Sequence, residues 1–273
     1  MINLKLNDNI KKISKCFKLN KTTATAFAIG IVLPVIMTAS IEGTNKYPVK
    51  EQSKIVETIN TNNQEQSDNL IVEEDTRLPV ALTFDDGPSK HTTKLLNLLD
   101  EYNIKATFFV IGRNIEGNEE ALIDAYQRGH EIAIHTYNHK DLTTLSLEEV
   151  EKEIELTKEK IMELGITPSN LVRPPYGRVS QEILNNIDYP FVAWSVDVED
   201  WKTSRPWNVR KKILNTIDEN EIMLLHDGKT STIEGLENVL PLIADEYRFI
   251  TVSDLFEENE VEIETGKKYR KIK

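Results

Sequence analysis

Five short stretches of this chain carry side chains suited to hydrolytic chemistry. Thr83-Phe84-Asp85-Asp86-Gly87-Pro88 ends an apolar run in two adjacent carboxylates and a Gly-Pro turn. Neighbouring residues of a strand point to opposite faces, so Asp85 and Asp86 converge only if the chain bends between them. An Asp-rich turn with no chemistry has the same look. His135-Thr136-Tyr137-Asn138-His139 sets two imidazoles four residues apart. If that segment turns helically, both rings share a face at ligand spacing. Two such histidines alone are weak evidence of a metal, but with a carboxylate nearby, His-His-Asp suits zinc with one position open for water. The other three stretches are Arg173-Pro174-Pro175-Tyr176-Gly177, Asp197-Val198-Glu199-Asp200-Trp201 and Leu224-Leu225-His226.

Something must position these groups, and the apolar pattern says what. Seven candidate strands run over 80–84, 106–111, 131–134, 171–173, 191–196, 221–225 and 249–252, with amphipathic segments between them. The clearest of these spans 147–164, with Val150, Ile154, Thr157, Ile161 and Leu164 on one face; Ser146 and Glu149 form a capping box and Gly165 a stop. The charged residues on its other side read as a solvated face. Repeated strand–helix units imply parallel strands with right-handed crossovers, an α/β fold. The pattern alone does not separate an open doubly wound sheet from a closed or incomplete barrel. The five reactive stretches each fall just after the C-terminal end of a strand, the first, third, fourth, fifth and sixth in turn. In α/β barrels that is the catalytic face.

The rest of the chain says where this domain works. The formal charge is −12, but residues 1–41 hold six lysines against Asp8 alone, which leaves −17 for the remainder. An acidic body of this kind argues against a nucleic-acid partner. Cys16 is the single cysteine, so there is no intrachain disulfide and no thiolate zinc site; a metal must be held by His, Asp or Glu. Residues 1–21 form a basic segment, and 22–41 are uncharged with an apolar centre from Phe27 to Met37. That length is near the roughly 20 residues needed to span a bilayer, and the basic flank keeps the N-terminus cytoplasmic. Thr38, Ala39 and Ser40 would also permit cleavage, so the segment reads as a transmembrane anchor or a signal peptide. Residues 42–77 have the polar composition of a flexible linker. The catalytic domain is then expected over 78–256, with a charged tail over 257–273 that frays. Localisation follows as extracytoplasmic, anchored to the membrane or secreted.

TFDDGP (83–88), HTYNH (135–139), RPPYG (173–177), DVEDW (197–201) and LLH (224–226), in that order, resemble the five motifs of the polysaccharide deacetylases, the NodB-like carbohydrate esterase family 4. The resemblance covers about 78–256 and implies a distorted, incomplete (β/α) barrel, in agreement with about seven parallel strands. It implies Asp85 as general base, Asp86, His135 and His139 as ligands of a divalent ion, and His226 as general acid. Asp200 would orient His226 and favour its charged form, and Arg173 would pair with Asp85. The backbone N–H of Tyr176 would help bind the oxyanion, and Trp201 and Leu224 would wall a pocket for the acetyl methyl group. Zinc is the expected ion, with cobalt or another divalent ion as alternatives.

The implied reaction is removal of acetyl groups from an N-acetylated cell-envelope polysaccharide, with N-acetylglucosamine of peptidoglycan first. Chito-oligosaccharide, poly-N-acetylglucosamine, N-acetylmuramic acid and O-acetyl esters of a xylan-like polymer are alternatives. A non-catalytic sugar-binding module is disfavoured by the presence of both Asp85 and His226, and a two-metal phosphoesterase by the lack of a second ligand cluster. The catalytic domain is expected to act as a monomer. His91 and His130 lie off the clusters and read as structural, Trp194 as core, and Trp207 as packing or as a platform for a sugar ring.

Overall fold

The computed structural model describes residues 75–272. The basic segment 1–21, the apolar segment 22–41 and all but the last three residues of the linker 42–77 lie outside the described residues. Among the described residues no helix is long and apolar enough to cross a membrane.

The centre of the fold is β1 (Leu78–Gly87), buried from Val80 to Asp85. A near-continuous buried run of this kind is what a parallel strand covered on both faces requires. Along its first half β1 pairs with β7 (Tyr247–Ile250), and along its second half with β2 (Thr107–Val110). Its other edge is held by β6 (Ile222–His226). β3 (Glu131–Ile134) adds to β2, and the two-residue β5 (Val196–Asp197) to β6, all parallel. β2 and β7 share one edge of β1, since Ala81 pairs with β6 on the other edge while it pairs with β7.

Helices connect the strands: α1 (Thr92–Glu101), α2 (Glu119–Gln127), α3 (Leu147–Glu163), α4 (Gln181–Asn186), α5 (Pro206–Thr216), α6 (Thr230–Ile243) and α7 (Val252–Glu258). α3 opens with the expected capping box, in which Ser146 accepts from the Glu149 N–H and Glu149 accepts from the Ser146 N–H. Alternate strand residues divide between two cores, as period-two geometry dictates. Val80, Leu82, Phe84, Phe108, Val110, Ile132, Ile134, Met223 and Leu225 belong to the larger cluster with the helices. Ala81, Phe109, Ala133, Leu171 and Ile222 belong to the second. Continuing that second set in steps of two gives Thr83 and Asp85, His135, Arg173, and Leu224 and His226. One face of the sheet is therefore small and apolar at its base and chemically reactive at its C-terminal rim.

Three expectations are corrected. Residues 171–173 do not form a strand: Val172 makes single parallel bridges to Ile134 and Phe191. The strand expected over 191–196 breaks into β4 (Phe191–Val192) and β5, because the carbonyls of Val192 and Ala193 bond the guanidinium of Arg173. The tail does not fray. β8 (Lys268–Tyr269) pairs with β4, Tyr269 packs edge-on against Phe256, and Ile272 is buried in the second core.

Candidate active site

A cavity of about 480 Å³ opens at the C-terminal rim of the sheet, lined by Asp85, Asp86, His135, His139, Tyr176 and His226 among others. Asp85 arrives there by strand period. Asp86 would point away, but the register slips between Asp85 and Gly87, and Asp86 takes a left-handed φ of 70°. This bulge supplies the bend that two adjacent carboxylates need in order to converge. Gly87 leaves room for a buried carboxylate behind the turn: a Cβ there would lie 2.5 Å from Asp227 Oδ2. Asp227 in turn accepts hydrogen bonds from Ser89 Oγ at 2.8 Å and from Thr92 Oγ1, pinning the chain that follows the bulge.

The His135–His139 segment is not helical, so helical spacing is not what brings its two rings together. Left-handed φ values at Thr136 (65°) and His139 (58°) fold it into a tight loop, and the His139 N–H donates to Thr136 Oγ1 at 3.0 Å. Five non-glycine residues of the reactive stretches are left-handed, namely Asp86, Thr136, His139, Tyr176 and Glu199. Each costs on the order of 1–3 kcal/mol, a strain characteristic of functional sites. A second tether was not legible in the pattern. Glu153 of α3, expected on a solvated face, is buried and accepts from the Asn138 N–H at 2.6 Å and from Asn138 Nδ2 at 2.9 Å.

The ligand set fits a divalent ion. His135 Nδ1–H donates to the Arg173 carbonyl at 2.7 Å, which directs the Nε2 lone pair at the cavity. Burial lowers the His135 pKa, so the imidazole is neutral as ligation requires. Asp86 Oδ1 lies 3.6 Å from His135 Nε2 and 3.5 Å from His139 Nε2. It is buried with no hydrogen-bond partner, and such an orphaned carboxylate oxygen needs a cation or proton. Tetrahedral ligand bonds of about 2.0–2.1 Å place donor atoms roughly 3.3–3.4 Å apart, close to what is found.

Asp85 is buried beside this set, with Oδ1 accepting from Arg173 at 2.8 Å and Oδ2 3.6 Å from His135 Nε2. Burial pushes its pKa above the ordinary aspartate range, against the pull of Arg173. Arg173 is wholly enclosed. It also donates to Thr83 Oγ1 at 2.6 Å and lies 3.9 Å over the Phe109 ring. Across the cavity, His226 Nδ1 bonds Asp200 Oδ1 at 2.7 Å, and Asp200 Oδ2 accepts the His226 N–H and the Thr232 hydroxyl. Burial alone disfavours a charged His226. The hydrogen bond and charge of Asp200, with Asp85 and Asp86 beyond, outweigh it, so the pKa lies above the ordinary histidine value.

Tyr176 supplies the first N–H after two prolines, at a left-handed φ of 59°. The turn itself is closed by the N–H groups of Gly177 and Arg178. Lys268 of the tail donates to the Gly177 carbonyl at 2.6 Å and braces the turn. Trp201 and Leu224 line the cavity as expected. So does Trp194, which was expected in the core: two residues on from Val192 of the second core, it falls on the same face and lies against Gly177. His91 and Trp207 are outside the cavity lining. His130 is buried under Phe108, and burial lowers its pKa to about 4.

An incomplete parallel barrel with an Asp-His-His cluster, a buried carboxylate and a carboxylate-oriented histidine around one cavity is an arrangement suited to metal-assisted hydrolysis. The chain belongs to the polysaccharide deacetylase family, whose profile matches residues 73–191. It is similar to a peptidoglycan-N-acetylglucosamine deacetylase of Bacillus cereus, 34% identical over 186 residues that cover 64% of this chain and 87% of that protein. It is 32% identical over 269 residues to the peptidoglycan-N-acetylglucosamine deacetylase of Listeria monocytogenes, covering 96% of this chain. It spans only 56% of the length of that relative. Among solved structures, a family 4 acetyl xylan esterase of Clostridium thermocellum holding a cobalt ion aligns with a TM-score of 0.66 at 31% identity, covering 71% of this chain and 98% of that one.

Proposed function

We propose that this protein removes acetyl groups from an N-acetylated cell-wall polysaccharide, with N-acetylglucosamine of peptidoglycan as the acetylated sugar. The observation that carries the reading is the convergence of Asp85, the Asp86-His135-His139 set and His226 on one cavity. Asp86, His135 and His139 would hold a divalent ion, zinc being the ion that a three-ligand N/O site with an open position suits best. When bound, such an ion supplies Lewis acidity to the amide carbonyl and acidifies water.

The remaining chemistry falls to the chain. Asp85, held by Arg173, takes the proton of the attacking water; its raised pKa strengthens it as a base. The Tyr176 N–H offers a donor to the oxyanion in a turn too rigid to need reorganisation. Trp201, Trp194 and Leu224 enclose the methyl group. Protonated His226, oriented by Asp200, gives its proton to the departing amine, without which an amide nitrogen leaves poorly. We place the protein outside the cytoplasm, tethered through residues 22–41 as an anchor and 42–77 as a linker, with a monomeric catalytic domain.

Acetate release by the zinc-loaded protein from peptidoglycan, chito-oligosaccharides and acetylxylan, run in parallel, tests the reading. Peptidoglycan is expected to be the best substrate. Release from acetylxylan alone would replace the amide reading by an ester one. A chain starting at Glu74 is expected to keep its activity on soluble oligomers; loss of folding would make the preceding residues part of the domain.

A further inference from the structure

Residues 201–217 hold five basic side chains, Lys202, Arg205, Arg210, Lys211 and Lys212, and no acidic one, in a chain of net charge −12. The fold turns part of this run into a site. The 3-10 turn Asp200–Lys202 and helix α5 bring Lys202, Lys211 and Lys212, with Asn208, around a depression of about 370 Å³. It shares a wall with the candidate active site: in the segment 197–202, Asp197 and Trp201 face the catalytic cavity, while Val198, Glu199 and Lys202 face the depression.

Its charge does not cancel. Glu199 is the single carboxylate on the lining, and its side chain is already bound by Lys202 and by Lys212 at 3.2 Å. These lysines hold Glu199 below the ordinary glutamate range. Lys211 has no ion-pair partner among the described residues. Three ammonium groups against one carboxylate leave a net positive depression on an acidic protein, and Asn208 adds an amide donor. Clustered like charges repel one another, so an anion seated there would be favoured.

We propose that this depression is a subsite for an anionic group, carboxylate or phosphate, carried on the same polysaccharide that places its acetyl group in the cavity. The inference rests on the deacetylase reading and narrows it: the substrate is an anionic envelope glycan and not a neutral chitin- or xylan-like polymer. Exposed lysines act through screened Coulomb attraction, so the subsite should contribute to binding and to salt dependence more than to the chemical step.

The test compares the zinc-loaded full chain with its Lys211→Gln/Lys212→Gln variant on a neutral chito-oligosaccharide, a peptidoglycan oligomer with free carboxylates, the same oligomer amidated, and a glycan bearing phosphodiesters. Equilibrium binding and acetate release are measured at low and high salt. The variant is expected to bind the anionic glycans about 3- to 10-fold more weakly, with KM raised, kcat kept and the salt dependence flattened. The neutral oligomer should respond to neither the substitution nor salt. Loss on the free-carboxylate oligomer but not its amidated form identifies the carboxylate as the occupant, and loss confined to the phosphodiester glycan identifies phosphate. Equal effects on neutral and anionic glycans, or none on either, overturn the subsite while leaving deacetylation intact. Lysine-dependent binding without acetate release from any substrate overturns the deacetylase reading and keeps the subsite.

Discussion

Asp85 and Asp86 are neighbours in sequence with opposite assignments, and that separation is testable. Asp86→Ala removes a ligand from a three-ligand set, so bound metal and activity should fall together. Asp85→Asn keeps the side-chain shape and every ligand. Metal content should stay near stoichiometric while turnover drops about 100- to 10,000-fold, read by metal analysis beside acetate release. Because Asn leaves the enclosed Arg173 guanidinium uncompensated, that variant should also lose stability, by about 3–5 kcal/mol. The comparison therefore belongs below its melting transition. Retained metal in Asp86→Ala, or stripped metal in a folded Asp85→Asn, would reverse the two assignments.

His226 gives the pH dependence its sign. Its folded pKa is raised, chiefly because Asp200 overcomes the effect of burial. A general acid must be protonated, so kcat/KM should fall as pH rises through that raised value. Asp200→Asn keeps an acceptor but removes the charge, and the alkaline limb should move to lower pH, measurable in a pH–rate profile. The stability from this pair follows the same sign: it is fully present below the unfolded histidine pKa and lost as pH rises through the folded one. An alkaline limb unmoved by Asp200→Asn would assign it to another group.

At the scale of elements, the histidine loop depends on a helix that never enters the cavity. Glu153 on α3 stays ionised, despite burial, through its bonds from Asn138 and Lys140. It thereby holds the loop whose left-handed turns aim His135 and His139. Glu153→Ala leaves the capping box at Ser146 and Glu149 intact but frees the Asn138 N–H. Metal affinity should weaken about 10- to 100-fold, as for other groups that hold ligands in place. Glu153→Gln, which keeps an acceptor, should recover part of it. Unchanged affinity in a metal titration of Glu153→Ala would mean that the loop needs no tether.

At the scale of the whole described domain, the tail is part of the fold. Ile272 is buried among the residues of the second core, and β8 continues the pairing of β4. Ile272→Ala should lower the unfolding free energy by about 2 kcal/mol, the low end for a buried Ile-to-Ala change because a chain end relaxes easily. Denaturant unfolding measures this directly, and an unchanged midpoint would return the tail to the frayed state its charge suggested.

The sequence alone was enough to pick out the reactive stretches, their order and, for four of the five, their place at strand ends, because strand period and side-chain chemistry are local properties; the roles of the residues came from the resemblance of the five stretches taken together. Asp85, His135, Arg173, Leu224 and His226 could be set on one face by counting in twos from Ala81, Ala133, Leu171 and Ile222. The tertiary structure alone decided how Asp86 joins them, through a bulge backed by Asp227, and that the histidine loop is held by left-handed turns and Glu153, not by helical spacing. It also decided that 171–173 make only single bridges, that the carbonyls of Val192 and Ala193 go to the guanidinium of Arg173, and that the tail docks. Several of these rest on hydrogen bonds between residues far apart in sequence, 15 positions for Glu153 and Asn138 and 138 for Ser89 and Asp227. No local pattern of apolar and polar residues encodes such pairings; they form only once the barrel has brought the segments together.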